Sequence, residues 1–141
     1  INNSKCLPLN FAISSNEKQS RMKVFSSHCG KSSLISSINT KKNEKDVRYQ
    51  RVQCINFKKL NKIVKEKSYP ILIKIDVEGH ETVVINQIIK SKLISNLKEI
   101  FFEVHEKKIN IKKTLRLLKK YGFINFKKIG IGNHYDILAS K

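Results

Sequence analysis

The chain has 141 residues, 40% hydrophobic and 28% charged, with 29 Lys and Arg against 11 Asp and Glu for a net charge of +18. That length fits one domain without room for two independent cores, and the ordinary hydrophobic fraction argues against wholesale disorder. No apolar run approaches the ~18 residues that a membrane span needs, and no signal-peptide pattern opens the chain. The charge raises nucleic acid or an anionic surface as a partner. Only Arg21, Arg48, Arg51 and Arg116 are arginines, however, and phosphate and base-edge forks favour Arg. The lysines are spread along a chain rich in Ile and Asn, without the aromatic interleaving of a stacking surface, so nucleic acid is not the expected partner.

Cys6, Cys29 and Cys54 are odd in number and widely spaced, with no CxxC, which points away from a zinc ribbon or a dithiol redox pair. A reducing, cytoplasmic compartment fits this cysteine usage. Asn2-Asn3-Ser4 matches a glycosylation sequon but has no secretory signal beside it. The chain opens on Ile1, which predicts one N-terminally truncated domain over residues 1–141.

Cys6 to Ile13 alternates, with Leu7, Leu9, Phe11 and Ile13 on one face, and predicts a strand. A polar turn from Ser14 to Ser20 leads to a short strand around Met22 to Phe25. The Ser-, Asn-, Lys- and Gly-rich stretch 26–46 predicts a long loop, a type that is usually functional or mobile. Val52 and Cys54 resume a strand, and Leu60, Ile63 and Val64 stripe a short helix. Ile71 to Val77 is almost continuously apolar and β-branched, the mark of a strand covered on both faces. Gly79 breaks it, and Val84, Ile85, Ile88 and Ile89 mark the helix that follows. Ile100 to Val104 predicts the next buried strand, and Ile111, Leu115 and Leu118 a further helix stopped by Gly122. Phe123 to Ile129 and Tyr135 to Ala139 flank Gly130-Ile131-Gly132 as a hairpin. The whole reads as an α/β fold with a mostly parallel sheet, its last strand antiparallel.

Six of the 11 acids, Asp76, Glu78, Glu81, Glu99, Glu103 and Glu106, fall in one short stretch, together with His80 and His105. Four of them lie at or just past the carboxyl ends of the two best strands, where open α/β sheets bind ligands. Glu81 falls in a first helical turn, where a carboxylate stabilises the helix dipole, and Glu99 opens its strand at the far end. Asp76 stands out, because strand propensity disfavours a carboxylate at the end of an apolar strand. Alternation puts Glu103 and His105 on one side of their strand. Asp76, Glu78, His80, Glu103 and His105 include ligand types for a metal, but no HxH or HxxxH fixes two imidazoles, and no metal is expected. GxSxG, Walker A and GxGxxG motifs are absent, and only Cys29, beside His28, has a neighbouring histidine.

Lys74-Ile75-Asp76-Val77-Glu78-Gly79-His80-Glu81 closely resembles the strand-four motif of FkbM-type methyltransferases, which use S-adenosylmethionine. Leu9-Asn10-Phe11-Ala12-Ile13-Ser14 is similar to that family's third strand, Lys31-Ser32-Ser33-Leu34 to its Gly-Ser-Ser-Leu loop, and Ile100-Phe101-Phe102-Glu103-Val104-His105 to its fifth strand. Tyr121-Gly122-Phe123 and Tyr135-Asp136-Ile137-Leu138-Ala139 resemble the closing strands. The resemblance implies an incomplete Rossmann-like class I methyltransferase sheet. The family's first strand, Gly-rich cofactor loop and second strand do not precede these motifs here, so the isolated chain is expected to bind cofactor poorly and to be inactive.

By position in that family, Asp76 would sit beside the methyl group as base or orienting acceptor. Glu78 and Glu103 would frame the acceptor pocket, with His80 or His105 as alternative bases. Ala12, Ile13 and Ser14 would lie near the adenine, and Ser32 and Ser33 on a loop over the site. The implied reaction is O-methylation of a sugar, glycan or secondary-metabolite hydroxyl. The alternative is a non-catalytic basic protein, binding nucleic acid or an anionic surface through a degenerate methyltransferase fold.

Overall fold

The structure is a computed structural model that describes residues 8–27, 32–34, 46–64 and 68–141. Its first half forms a four-stranded sheet from β1 (Ala12–Ile13), β2 (Gln19–Phe25), β3 (Ser33–Leu34) and β4 (Val47–Ile55), in the order β1-β4-β2-β3. β1 runs parallel to β4, pairing Ala12 with Cys54 and Ile13 with Ile55, while β2 is antiparallel to both β3 and β4. Asn56 then caps α1 (Phe57–Ile63), its side chain accepting from the Lys58 and Lys59 N–H groups.

The second half forms another four-stranded sheet, in the order β5-β6-β8-β7, from β5 (Ile71–Ile75), β6 (Leu97–His105), β7 (Asn125–Ile129) and β8 (His134–Ser140). α2 (Glu81–Lys90) makes the crossover between the parallel pair β5 and β6, followed by a 3-10 turn at Lys92–Ser95. α3 (Ile111–Lys120) connects β6 to the β7–β8 hairpin, whose strands pair antiparallel with each other while β8 pairs antiparallel with β6. Gly122 stops α3 at φ 87, with its N–H on the Lys119 carbonyl and the Phe123 N–H on the Leu118 carbonyl. This double closure is the Schellman ending, and it delivers Phe123 to the core at 0% exposure.

The core packs Val84, Ile85, Ile88 and Ile89 of α2 and Leu118 of α3 with the inward residues of the second sheet. Ile100, Phe102 and Val104 of β6 are fully buried and alternate with half-buried Phe101, Glu103 and His105. Ile13 packs against this core from the first sheet, and Gln87 Oε1 accepts the Phe57 N–H at 3.0 Å, joining α2 to the start of α1.

The expected single, mostly parallel Rossmann-like sheet is not what forms. The described strands make two mixed sheets, in which only β1–β4 and β5–β6 are parallel and the other pairings are antiparallel. β5 and β6 are joined by a helical crossover and β1 and β4 by the long connection that carries β2 and β3, whereas the hairpin connection β7–β8 leaves its strands antiparallel. The Ile71 to Val77 strand also ends earlier, at Ile75, and is not covered on both faces: β5 is a sheet edge with Leu72 60% exposed. Of the strand expected from Cys6 to Ile13, Cys6 and Leu7 lie outside the described residues, and only Ala12–Ile13 is strand. Within stretch 26–46, Ser33–Leu34 pairs with β2, while His28, Cys29, Lys31 and residues 35–45 lie outside the described residues. No helix among the described residues is long and apolar enough to cross a membrane.

Candidate functional site

β5 runs out at Ile75, and the chain turns through Asp76, Val77, Glu78 and Gly79 before α2 begins at Glu81. The turn takes two successive left-handed residues, Glu78 at φ 53 and Gly79 at φ 103. A non-glycine residue in that region is uncommon and persists only where its surroundings hold it. Glu81 does the holding: its Oε1 accepts from the Val77 N–H at 3.3 Å and the Gly79 N–H at 3.0 Å, and the residue is 1% exposed. Its role therefore goes beyond the helix dipole, since the carboxylate fixes the backbone that aims Asp76 and Glu78. Glu81 Oε2 is buried without a hydrogen-bond partner among the described residues.

Three carboxylates converge at the strand ends. Asp76, Glu78 and Glu103 offer oxygens that all lie within 4.8 Å of one another. Lys74 Nζ reaches Asp76 Oδ2 at 3.3 Å, and Lys108 Nζ reaches Glu78 Oε2 at 3.1 Å. The Lys108 stem lies over Gly79, where a Cβ would come within 2.9 Å of it. His134 Nε2 lies 2.6 Å from Glu103 Oε1, and that bond holds the imidazole pKa above its ordinary 6.5. His105 stacks on His134 with ring centroids 5.4 Å apart, so Glu103 and His105 work from the same side of β6. Such a set can attract a cation, orient a hydroxyl or accept its proton.

A cleft of about 490 Å³ opens beside this turn, between the first sheet and the start of α2. Ala12 and Ile13 of β1, Ser32 and Ser33, and Asp76 and His80 all line it, with Ile75, Val84 and Ile88 supplying apolar wall. Ser14 reaches the same region by its hydroxyl, 3.3 Å from His80 Nε2. Burial lowers the His80 pKa, with Glu81 opposing in part, which favours the neutral imidazole. Glu78, Glu103 and His105 do not line the cleft; they stand beyond Asp76 in the carboxylate cluster. Cys54 lies buried in β4 with its thiol pKa raised by burial, which disfavours a reactive thiolate.

Two further residues of this cluster, His134 and Lys108, are not marked by the sequence pattern. His134 opens β8 and pairs in register with His105 of β6, a pairing that the hairpin turn, which fixes only the β7–β8 register, does not signal. Lys108 follows β6 in a polar turn, and nothing in its neighbours marks it as the partner of Glu78.

The sequence matches the family described as methyltransferase FkbM domain over residues 2–124. No curated protein and no solved structure matches the chain.

Proposed function

The chain belongs to the FkbM methyltransferase family, and from that premise we propose that it methylates a hydroxyl of a sugar, glycan or secondary metabolite with S-adenosylmethionine as donor. The observation that carries the reading is the cleft that joins an apolar bed from β1 to the Asp76 carboxylate. The donor set suits the cofactor's two halves, since apolar strand residues can bed a purine while a carboxylate can face a cationic sulfur. When bound, the cofactor supplies a methyl group activated by that positive sulfur.

The remaining work falls to the chain. Ala12, Ile13 and Ser14 would hold the adenosyl end, and Ser32 and Ser33 would cover it. Asp76, with Lys74 on its Oδ2, would orient the acceptor hydroxyl and take up its proton. His80 is the alternative base, already held toward Ser14. Glu78 and Glu103, backed by Lys108 and His134, would frame the acceptor, with His105 stacked behind. Orienting the acceptor and excluding water give such a transfer most of its advantage.

Calorimetric titration of the gene-encoded protein with S-adenosylmethionine tests the reading. Asp76→Asn should weaken binding about tenfold, the loss of roughly one charge-assisted contact. Absence of binding by the unaltered protein would sink the proposal, and unchanged binding and turnover in Asp76→Asn would remove Asp76 from it.

A further inference from the structure

Lys120 closes α3 where the helix dipole favours a cation, but Lys113 is not placed as helix stability alone would ask. Lys113 sits in the first turn, which carries no acid, at the positive end of the helix dipole where a carboxylate is favoured. Arg116 and Lys120 follow at helical spacing, on the same side as Lys113. Opposite them, Thr82, Asn86 and Gln87 of α2 complete the wall of a second concavity, about 520 Å³ in volume. Thr82 Oγ1 and Thr114 Oγ1 lie 2.9 Å apart and fasten the two helices to each other.

No acidic residue lines this cleft, and among the described residues no carboxylate pairs with Lys113, Arg116 or Lys120. Three of the 11 acids instead converge at Asp76, Glu78 and Glu103. We propose that the cleft between α2 and α3 binds a phosphorylated small molecule carrying two or more linked phosphoryl groups.

Geometry and chemistry favour that class. From Lys113 to Lys120 the helix advances about 10 Å, enough for a run of phosphoryl groups and more than one alone would use. Arg116 offers a planar fork for paired phosphate oxygens, the lysines act as point charges, and the Asn86 amide can donate from the facing helix. The volume falls in the ~300–1,000 Å³ range of small-molecule sites. No aromatic side chain lines the cleft, so it lacks the platform on which single-stranded nucleic acid stacks its bases. The site is independent of the methyl-transfer reading.

Sodium tripolyphosphate, titrated at low salt, is the probe. Replacing all three cations, Lys113→Gln with Arg116→Gln and Lys120→Gln, should weaken binding at least about tenfold. The same triple change at Lys58, Lys59 and Lys62, exposed on α1, should leave it within about twofold. In the unaltered protein the Asn86 side-chain amide signals should shift on titration while the Lys58 backbone amide stays, a readout that survives if the cleft variant fails to fold. Equal losses in both triple variants, no binding, or no shift at Asn86 would overturn the proposal. So would preferential binding of short single-stranded DNA weakened alike by both, which would mark a diffuse polyelectrolyte surface.

Discussion

Glu81 carries the turn on which the candidate site is built, because two backbone N–H groups end on its Oε1 and Glu78 stands at φ 53 beside it. Glu81→Ala should therefore cost about 1–3 kcal/mol in denaturant unfolding, with Glu81→Gln, which keeps an acceptor, costing less. Equal stability of Glu81→Ala and the unaltered protein would remove the clamp from the account. The histidines give opposed pH dependences. His134, raised above 6.5 by its bond to Glu103, contributes stability that is full below 6.5 and is lost as pH rises through the folded value. His80, lowered by burial, contributes stability present above 6.5 that is lost as pH falls through its folded value. NMR titration should place the two on either side of 6.5, and Glu103→Gln should return His134 alone towards it. Asp76 was legible in the sequence because a carboxylate ending an apolar strand is out of place; His134 was not, because only cross-strand register brings it to Glu103.

α2, α3, β6 and β8 were the readable elements, since each repeats its buried apolar residues at one period, while β7 carries only Phe126 and Ile129. β4 was harder to see: most of Val47–Ile55 is polar and exposed, and only Cys54 and Ile55 at its end are buried. The alternation from Leu7 to Ile13 misled in the other direction, for Leu9 is 47% exposed and lies outside any strand. Within the readable core, Phe102 is 0% exposed on β6, and Phe102→Ala should cost about 3–5 kcal/mol in chemical denaturation. Leu72 on the β5 edge is the contrasting case. Leu72→Lys should change stability by less than about 0.5 kcal/mol while slowing aggregation followed by light scattering, because charge blunts an exposed edge. A large stability loss there would mean that this edge is covered.

For the whole molecule, apolar pattern identified the strands of the second sheet better than those of the first, and identified the partners of neither. A β-branched run carries the same signal in a parallel or an antiparallel pairing, and direction is set by the connections. That is why the expected mostly parallel sheet gave way to two mixed ones. The net charge of +18 likewise concealed an internal division, with three carboxylates gathered at the strand ends and Lys113, Arg116 and Lys120 of α3 lining a cleft that no described acid lines. The cleft beside Asp76 is where the proposed chemistry must occur. Ultraviolet cross-linking of methyl-labelled S-adenosylmethionine to the gene-encoded protein, followed by peptide mapping, tests that placement most directly. Label is expected on peptides containing Ala12 to Ser14 or Ile73 to His80, reduced in Asp76→Asn. Label confined to peptides elsewhere in the chain, or unaffected by that substitution, would contradict it.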